Sequence, residues 1–322
     1  MLRAGLLLIL LLALSPQALA ACTASTVAAS FGPVTSFALN STEQTTTGQL
    51  IVQCDRVLGL LTNDSITVSM TTASSSASNR AAMKRTDNLT VTDLIPIRVC
   101  GQSGCNNNSE VTINATPYTW NASALLGLLG SQRYTLPIYL RTVAGQNVSA
   151  GPYQVTLNLS VNYNVCALGA VGLCGTPQTG TLATTLQVNG TVTNDCSTIT
   201  APAVNFGSSP LVQNFPTISQ AVTLTCTKGS TYTVGLNNGL YPTGTVRNMA
   251  SGNNRLSYEI YKGNTTSRWG STGSERWASS ASSLISGDAL TRTFNYTAKV
   301  LTTQATPPGG TYEDTVIVDV AF

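Results

Sequence analysis

The sequence predicts an all-β protein built from two related β-sandwich domains. Three observations lead there. Valine, isoleucine, leucine and tyrosine recur in short runs alternating with polar residues, the period of a half-buried strand. A strand, a glycine-rich turn and a second strand occur in that order twice. Two cysteines frame the start of each repeat.

The repeat is clearest at its ends. Residues 133–141, RYTLPIYLR, precede Gly151-Pro152-Tyr153-Gln154-Val155-Thr156-Leu157, which continues to Val161. Residues 293–300 precede Gly310-Thr311-Tyr312-Glu313-Asp314-Thr315-Val316, which continues to Val320. Each final run alternates its side chains between two faces. The beginnings also correspond. Cys22 is followed by Ser30-Phe31-Gly32-Pro33 and then Cys54; Cys196 is followed by Asn205-Phe206-Gly207-Ser208 and then Cys226. Helix signals are weak, with one or two turns expected over 122–129, where Gly127 interrupts.

The N-terminus reads as an export signal. Arg3 precedes an apolar run over 6–13, Pro16 breaks it, and Ala18-Leu19-Ala20 is a small-x-small cleavage site. The run is too short to span a bilayer. This divides the chain into a signal peptide (1–20), an N-terminal domain (21–190) and a C-terminal domain (191–322).

Eight cysteines follow the signal: Cys22, Cys54, Cys100, Cys105, Cys166, Cys174, Cys196 and Cys226. An even number in an exported chain predicts disulfides, although sequence alone does not fix their connectivity. The simplest pairing is Cys22–Cys54 and Cys196–Cys226, one per domain; other pairings remain open. Cys100 and Cys105 suit a small closed loop, and Cys166 and Cys174 would clamp the segment between them.

Composition argues against most chemistry. The chain has no histidine, so it has no serine or cysteine triad of the usual type, and no cysteine spacing makes a zinc site. The carboxylates Glu43, Asp55, Asp64, Asp87, Asp93 and Glu110 are scattered, without a glycosidase pair. Charged residues make up 9% and the formal net charge is +3, without a basic cluster for nucleic acid. No enzyme activity, cofactor or metal is expected. Trp269, Trp277, Tyr258 and Tyr261 have two readings, a carbohydrate platform or core aromatics.

The Cys, Phe-Gly, Cys framework and the ending Gly310-x-Tyr312-x-Asp314-Thr315-Val316-x-Val318 resemble the spore coat U domain family. Two such domains in one exported chain look like the tip adhesin of an archaic chaperone–usher pilus. The resemblance implies two immunoglobulin-like sandwiches, the second an incomplete pilin fold short of one strand. It implies that a periplasmic chaperone, and then the next pilus subunit at an outer-membrane usher, supplies that strand. The strand bordering the groove in the second domain would be the one carrying Val316, Val318, Val320 and Phe322. Mature Ala21 would be followed at once by Cys22, leaving nothing to donate, so the chain is expected at the pilus tip.

The segment between the repeats looks like a donor strand. Leu182, Leu186, Val188 and Val192 share a strand face. Residues near 181–189 (Leu182, Leu186 and Val188 above all) are read as completing the first domain from within, and Val192 as opening the second. A peripheral linker is the other reading.

Three glycine-containing apolar segments fit poorly inside strands. They hold Leu58, Leu60 and Leu61; Leu125, Leu126, Leu128 and Leu129; and Leu168, Val171 and Leu173. They read as loop tips. Exposed at one pole, they would form a hydrophobic binding surface; folded back, they would be satellite core. The expected function is a tip adhesin that attaches through these loops and supports biofilm formation. Its expected partners are the chaperone, the usher, the adjacent subunit and hydrophobic surfaces. The alternatives are a structural pilus or coat subunit without binding activity, and a carbohydrate-binding adhesin.

Overall fold

The computed structural model describes residues 22–54, 58–60, 63–121, 125, 133–170 and 173–322, with only the backbone at 58–60 and 167–170. The signal segment and the helical turn expected over 122–129 lie outside these residues, apart from Leu125.

The first half contains β1 (Cys22–Val27), β2 (Ala29–Thr35), helix α1 (Ser36–Ser41), β3 (Thr45–Cys54), β4 (Leu58–Leu60), β5 (Ser65–Ala73), β6 (Ser76–Ala77) and β7 (Arg80–Arg85). It continues with β8 (Leu94–Cys100), β9 (Glu110–Val111), β10 (Tyr118–Trp120), β11 (Arg133–Thr142), β12 (Gly151–Ala170) and β13 (Leu173–Thr193). The second half contains β14 (Cys196–Thr200), β15 (Ile218–Cys226), β16 (Thr233–Leu236), β17 (Arg247–Ser251) and β18 (Asn254–Lys262). It ends with β19 (Trp277–Ala278), β20 (Leu284–Ile285), β21 (Thr291–Val300) and β22 (Val318–Ala321).

Each half encloses its own core. In the first, the strand order is β1-β3-β11-β8-β7-β12-β13-β2, and β5 pairs with β12 and β10. Alternation sets the inward faces: Tyr134, Leu136, Ile138 and Leu140 of β11 meet Tyr153, Val155, Leu157, Leu159 and Val161 of β12 in one cluster. The second half has a sheet ordered β14-β15-β21-β18-β17 and a smaller one ordered β19-β16-β22. Its core holds Trp269, Trp277, Phe294 and Tyr296, packed at ring separations of 4.9–6.0 Å. Trp269 and Trp277 are therefore interior residues, which removes them from a surface sugar platform.

Helix α1 was not anticipated. The Thr35 hydroxyl accepts from the Ala38 amide at 3.2 Å and starts the turn, and Leu39 anchors it in the first core.

All eight cysteines are paired. Cys22–Cys54 joins β1 to β3 and Cys196–Cys226 joins β14 to β15, in each case between residues directly opposite in the ladder. Cys100–Cys105 closes a small loop, and Cys166–Cys174 ties β12 to β13.

The halves meet at a short connection. The Asp195 carbonyl accepts from the Thr227 amide at 2.8 Å, and Lys228 Nζ reaches Asp93 of the first half at 2.6 Å.

Candidate functional site

The site is best understood by comparing the same groove in the two halves. In the first, β13 lies between β12 and β2. It runs antiparallel to β12, placing Val188 opposite Val155, Leu186 opposite Leu157 and Leu182 opposite Val161. Its other edge pairs in parallel with β2, with Val188 opposite Ala29 and Val192 opposite Val34. Leu186, Val188 and Val192 are fully buried in the first core, and Leu182 packs on its margin. Full burial of one such side chain contributes about 1.5–3 kcal/mol. The strand continues to Thr193, past the boundary expected at 190, because Val192 belongs to the first core and does not open the second.

In the second half the flanking segments recur without a strand between them among the described residues. Phe206-Gly207 repeats Phe31-Gly32 in detail. Gly32 and Gly207 have φ of 68° and 76°. Their amides are held by the preceding polar side chains, Ser30 Oγ at 3.1 Å and Asn205 Oδ1 at 2.8 Å. Only glycine adopts that backbone without strain. Among the described residues the last strand, equivalent to β12, pairs on one edge only. Residues 318–321 bond to β16, and Glu313 bridges to Ala250 of β17. The Asn237 side chain caps the gap between these pairings by accepting from the Ile317 amide at 2.9 Å.

The other edge faces a groove of about 530 Å³ between residues 201–206 and 312–318. Val222, Leu236, Met249, Ile260 and Tyr296 form its floor. A second recess of about 670 Å³ continues it past Val204, Phe206 and Tyr312. Val316, Val318 and Val320 pack against the core but remain half-buried, whereas Leu157, Leu159 and Val161 at the matching positions of β12 are fully buried. Phe322 is exposed, with its ring edge-on to Tyr232. The unpaired edge and the half-covered valines are the two things a further strand would satisfy.

A buried ionic cluster stiffens the strands beneath the groove. Arg247 is fully buried and donates to Glu259, to the Leu236 carbonyl at 2.9 Å and to the Trp269 carbonyl at 2.8 Å. Burial lowers its pKa, partly offset by Glu259. Arg268 bridges Glu259 at 2.7 Å and Glu275 at 2.6 Å. This network was not recognised in the sequence, where its members are spread between two strands and a loop.

The leucine-rich segments are partly strands. The β12–β13 hairpin extends to Ala170 opposite Leu173, and β4 joins its end in parallel, with Leu58 opposite Leu168 and Leu60 opposite Ala170. Two of the three segments therefore meet at one pole as paired backbone, a correction to their reading as turns. Gly59 and Gly169 sit side by side within that ladder rather than at turn centres. Leu173 is 78% exposed. Leu125 is corrected the other way: it is fully buried in the first core and is not a surface contact. Leu61, Leu126, Leu128, Leu129 and Val171 lie outside the described residues. No group of three or more potential metal ligands occurs among the described residues.

The chain is similar to a chain of the CsuC–CsuE chaperone–tip adhesion subunit pre-assembly complex, from the archaic chaperone–usher Csu pili of Acinetobacter baumannii. Identity is 26%, coverage is 94% of this chain and 100% of that one, and the TM-score is 0.56. It also aligns with the CupB6 tip adhesin of Pseudomonas aeruginosa at 12% identity, over 94% of both chains, with a TM-score of 0.36. No curated protein matches the sequence. The fold is thus that of the pilin and pilus-adhesin class. The chain belongs to the Spore Coat Protein U domain family, whose model matches residues 8–160 and 182–319. The stretch between these matches, 161–181, contains the outer part of the β12–β13 hairpin and the Cys166–Cys174 bond.

Proposed function

We propose that the protein is the tip adhesin of an archaic chaperone–usher pilus. The observation that carries this reading is the contrast between its two grooves. The first is filled by the chain's own β13, and the second is open along one edge. A chain so built takes one strand from outside and presents a closed domain at its far side. The strand would come first from a periplasmic chaperone and then, at the outer-membrane usher, from the next subunit. Val318 and Val320 belong to β22, the strand bordering that groove, and Val316 and Phe322 flank it at either end. The signal over 1–20 would direct export, and the protein would reside at the cell surface on the pilus tip.

Attachment is assigned to the first-domain pole formed by β4 and the end of the β12–β13 hairpin. Leu58, Leu60, Leu61, Leu168, Val171 and Leu173 would supply apolar contacts, joined by Leu126, Leu128 and Leu129. Such residues release water against an apolar surface without needing a charged or sugar ligand. The many pili on a cell would multiply a weak contact into stable adhesion and biofilm formation. The role is adhesive and structural, without catalysis.

The test replaces Leu60, Leu168 and Leu173 with threonine, singly and together, and measures attachment to hydrophobic plastic at equal pilus display. The triple variant is expected to lose most attachment while pili still assemble. Undiminished attachment would remove the pole from the binding surface. Retained binding to plastic together with selective loss on a glycan array would favour the carbohydrate alternative.

A further inference from the structure

Along the alternating row Tyr312, Asp314, Val316, Val318 and Val320 beside the open groove, Asp314 is the one charged residue. Val155 of the first domain is fully buried and faces Val188 of the completing strand. In the matching run of the second domain that position is Asp314, whose side chain lines the groove. The carboxylate is held in place. Oδ1 accepts from the Leu240 amide at 2.7 Å and from its neighbour Thr315 at 2.8 Å, while Oδ2 accepts from the Tyr258 hydroxyl at 2.7 Å. Gly239, with φ of 77°, makes room for it: a Cβ there would stand 1.9 Å from Oδ2. Burial, and then the Asp314 carboxylate, push the Tyr258 pKa far up, so the phenol stays a donor.

A carboxylate offers about four acceptor sites, and three are occupied here. An aliphatic side chain laid over the fourth would strip its water and return nothing. A hydroxyl or amide would pair with it.

Resting on the strand-accepting reading of this groove, we propose that Asp314 sets the register and selectivity of the incoming strand. That strand, running in the direction of β13, carries a small hydrogen-bond donor (serine, threonine or asparagine) opposite Asp314. Two residues earlier it carries an aliphatic residue opposite Val316, as Leu186 stands opposite Leu157 in the first domain. The three valines supply apolar contact and accept many slipped strands; the Asp314 carboxylate, in the same row, penalises every slip that buries a leucine against it.

The test appends a copy of residues 181–190 to the full chain after Phe322 through a short flexible linker, recreating the hairpin of the first domain. Two copies are compared, one with Val188→Thr and one with Val188→Leu in the appended segment. Thermal unfolding is followed by tryptophan fluorescence, because Trp269 and Trp277 both report on the second core. The threonine copy is expected to raise the midpoint by about 4 °C more than the leucine copy, the shift of one net hydrogen bond. In an Asp314→Val background the order should reverse. Equal gains from both copies would overturn the role of Asp314 while leaving the groove a strand acceptor. No gain from either would overturn the acceptor reading itself. Should Asp314→Val fail to fold, the threonine–leucine comparison in the unaltered chain still decides.

Discussion

Val188 lies directly opposite Val155, and both are sealed from solvent, although the first belongs to the segment joining the two domains. The connection between the repeats is thus also the last strand of the first core.

That pairing makes the connecting strand a stability determinant. Leu186→Ala is expected to destabilise the first domain by about 2–5 kcal/mol, and Leu186→Asp by more, because a carboxylate would be buried unpaired. Urea unfolding of the full chain, with first-domain exchange protection as the readout, checks this. Unchanged protection would mean that β13 is dispensable to the first core.

Disulfides tie the first strand of each domain to a later one. Replacing Cys22 and Cys54 together with serine is expected to cost about 2–5 kcal/mol in the first domain and leave the second nearly unaffected. The double change Cys196→Ser with Cys226→Ser should show the reverse. Domain-resolved exchange distinguishes the two, and non-reducing peptide mapping should recover all four bonds.

Acid should weaken the first domain and its contact with the second. Burial opposes ionisation of Glu110, but Arg80 at 2.6 Å and Arg98 at 3.0 Å outweigh it and hold its pKa below the usual carboxylate range. Burial likewise opposes ionisation of Asp93, and Lys228 with the Ser149 amide and hydroxyl outweighs it. Both pKa values are depressed on folding. The stability they contribute is therefore complete above the unfolded-state value and lost as pH falls through the folded one. Melting temperature should be flat near neutrality and decline below about pH 4. Lys228→Ala should reduce the Asp93 share of the decline, leaving the part held by Ser149, and increase domain–domain mobility by small-angle scattering. An unaltered acid limb would show that the ion pair contributes nothing there.

Gly239 faces a harder constraint than its neighbours. Gly239→Ala adds a Cβ against the Asp314 carboxylate at a left-handed backbone position, and a second-domain loss exceeding the about 1–2 kcal/mol of backbone strain alone is expected. Gly244→Ala, at φ of 63° with open space around it, should cost less. Equal losses would mean that only backbone strain matters at Gly239.

The sequence by itself determined the fold class and the repeat, and it pointed to the framing cysteine pairs and to a strand between the repeats without excluding other pairings or a linker. These features are local or periodic: alternation marks a strand face at Leu182, Leu186 and Val188, and a repeated Phe-Gly marks equivalent places in two domains. The strand's true end was missed by a few residues, because nothing local tells which core Val192 enters. Only the tertiary structure decided how the leucine-rich segments are used. Leu125 and Leu173 look alike in sequence, yet one is buried in the first core and the other is exposed at a hairpin end. Burial depends on what the rest of the chain places overhead, and composition carries no record of that. The same holds for Asp314, an ordinary polar residue in an alternating run until Tyr258, Leu240 and Gly239 are folded around it.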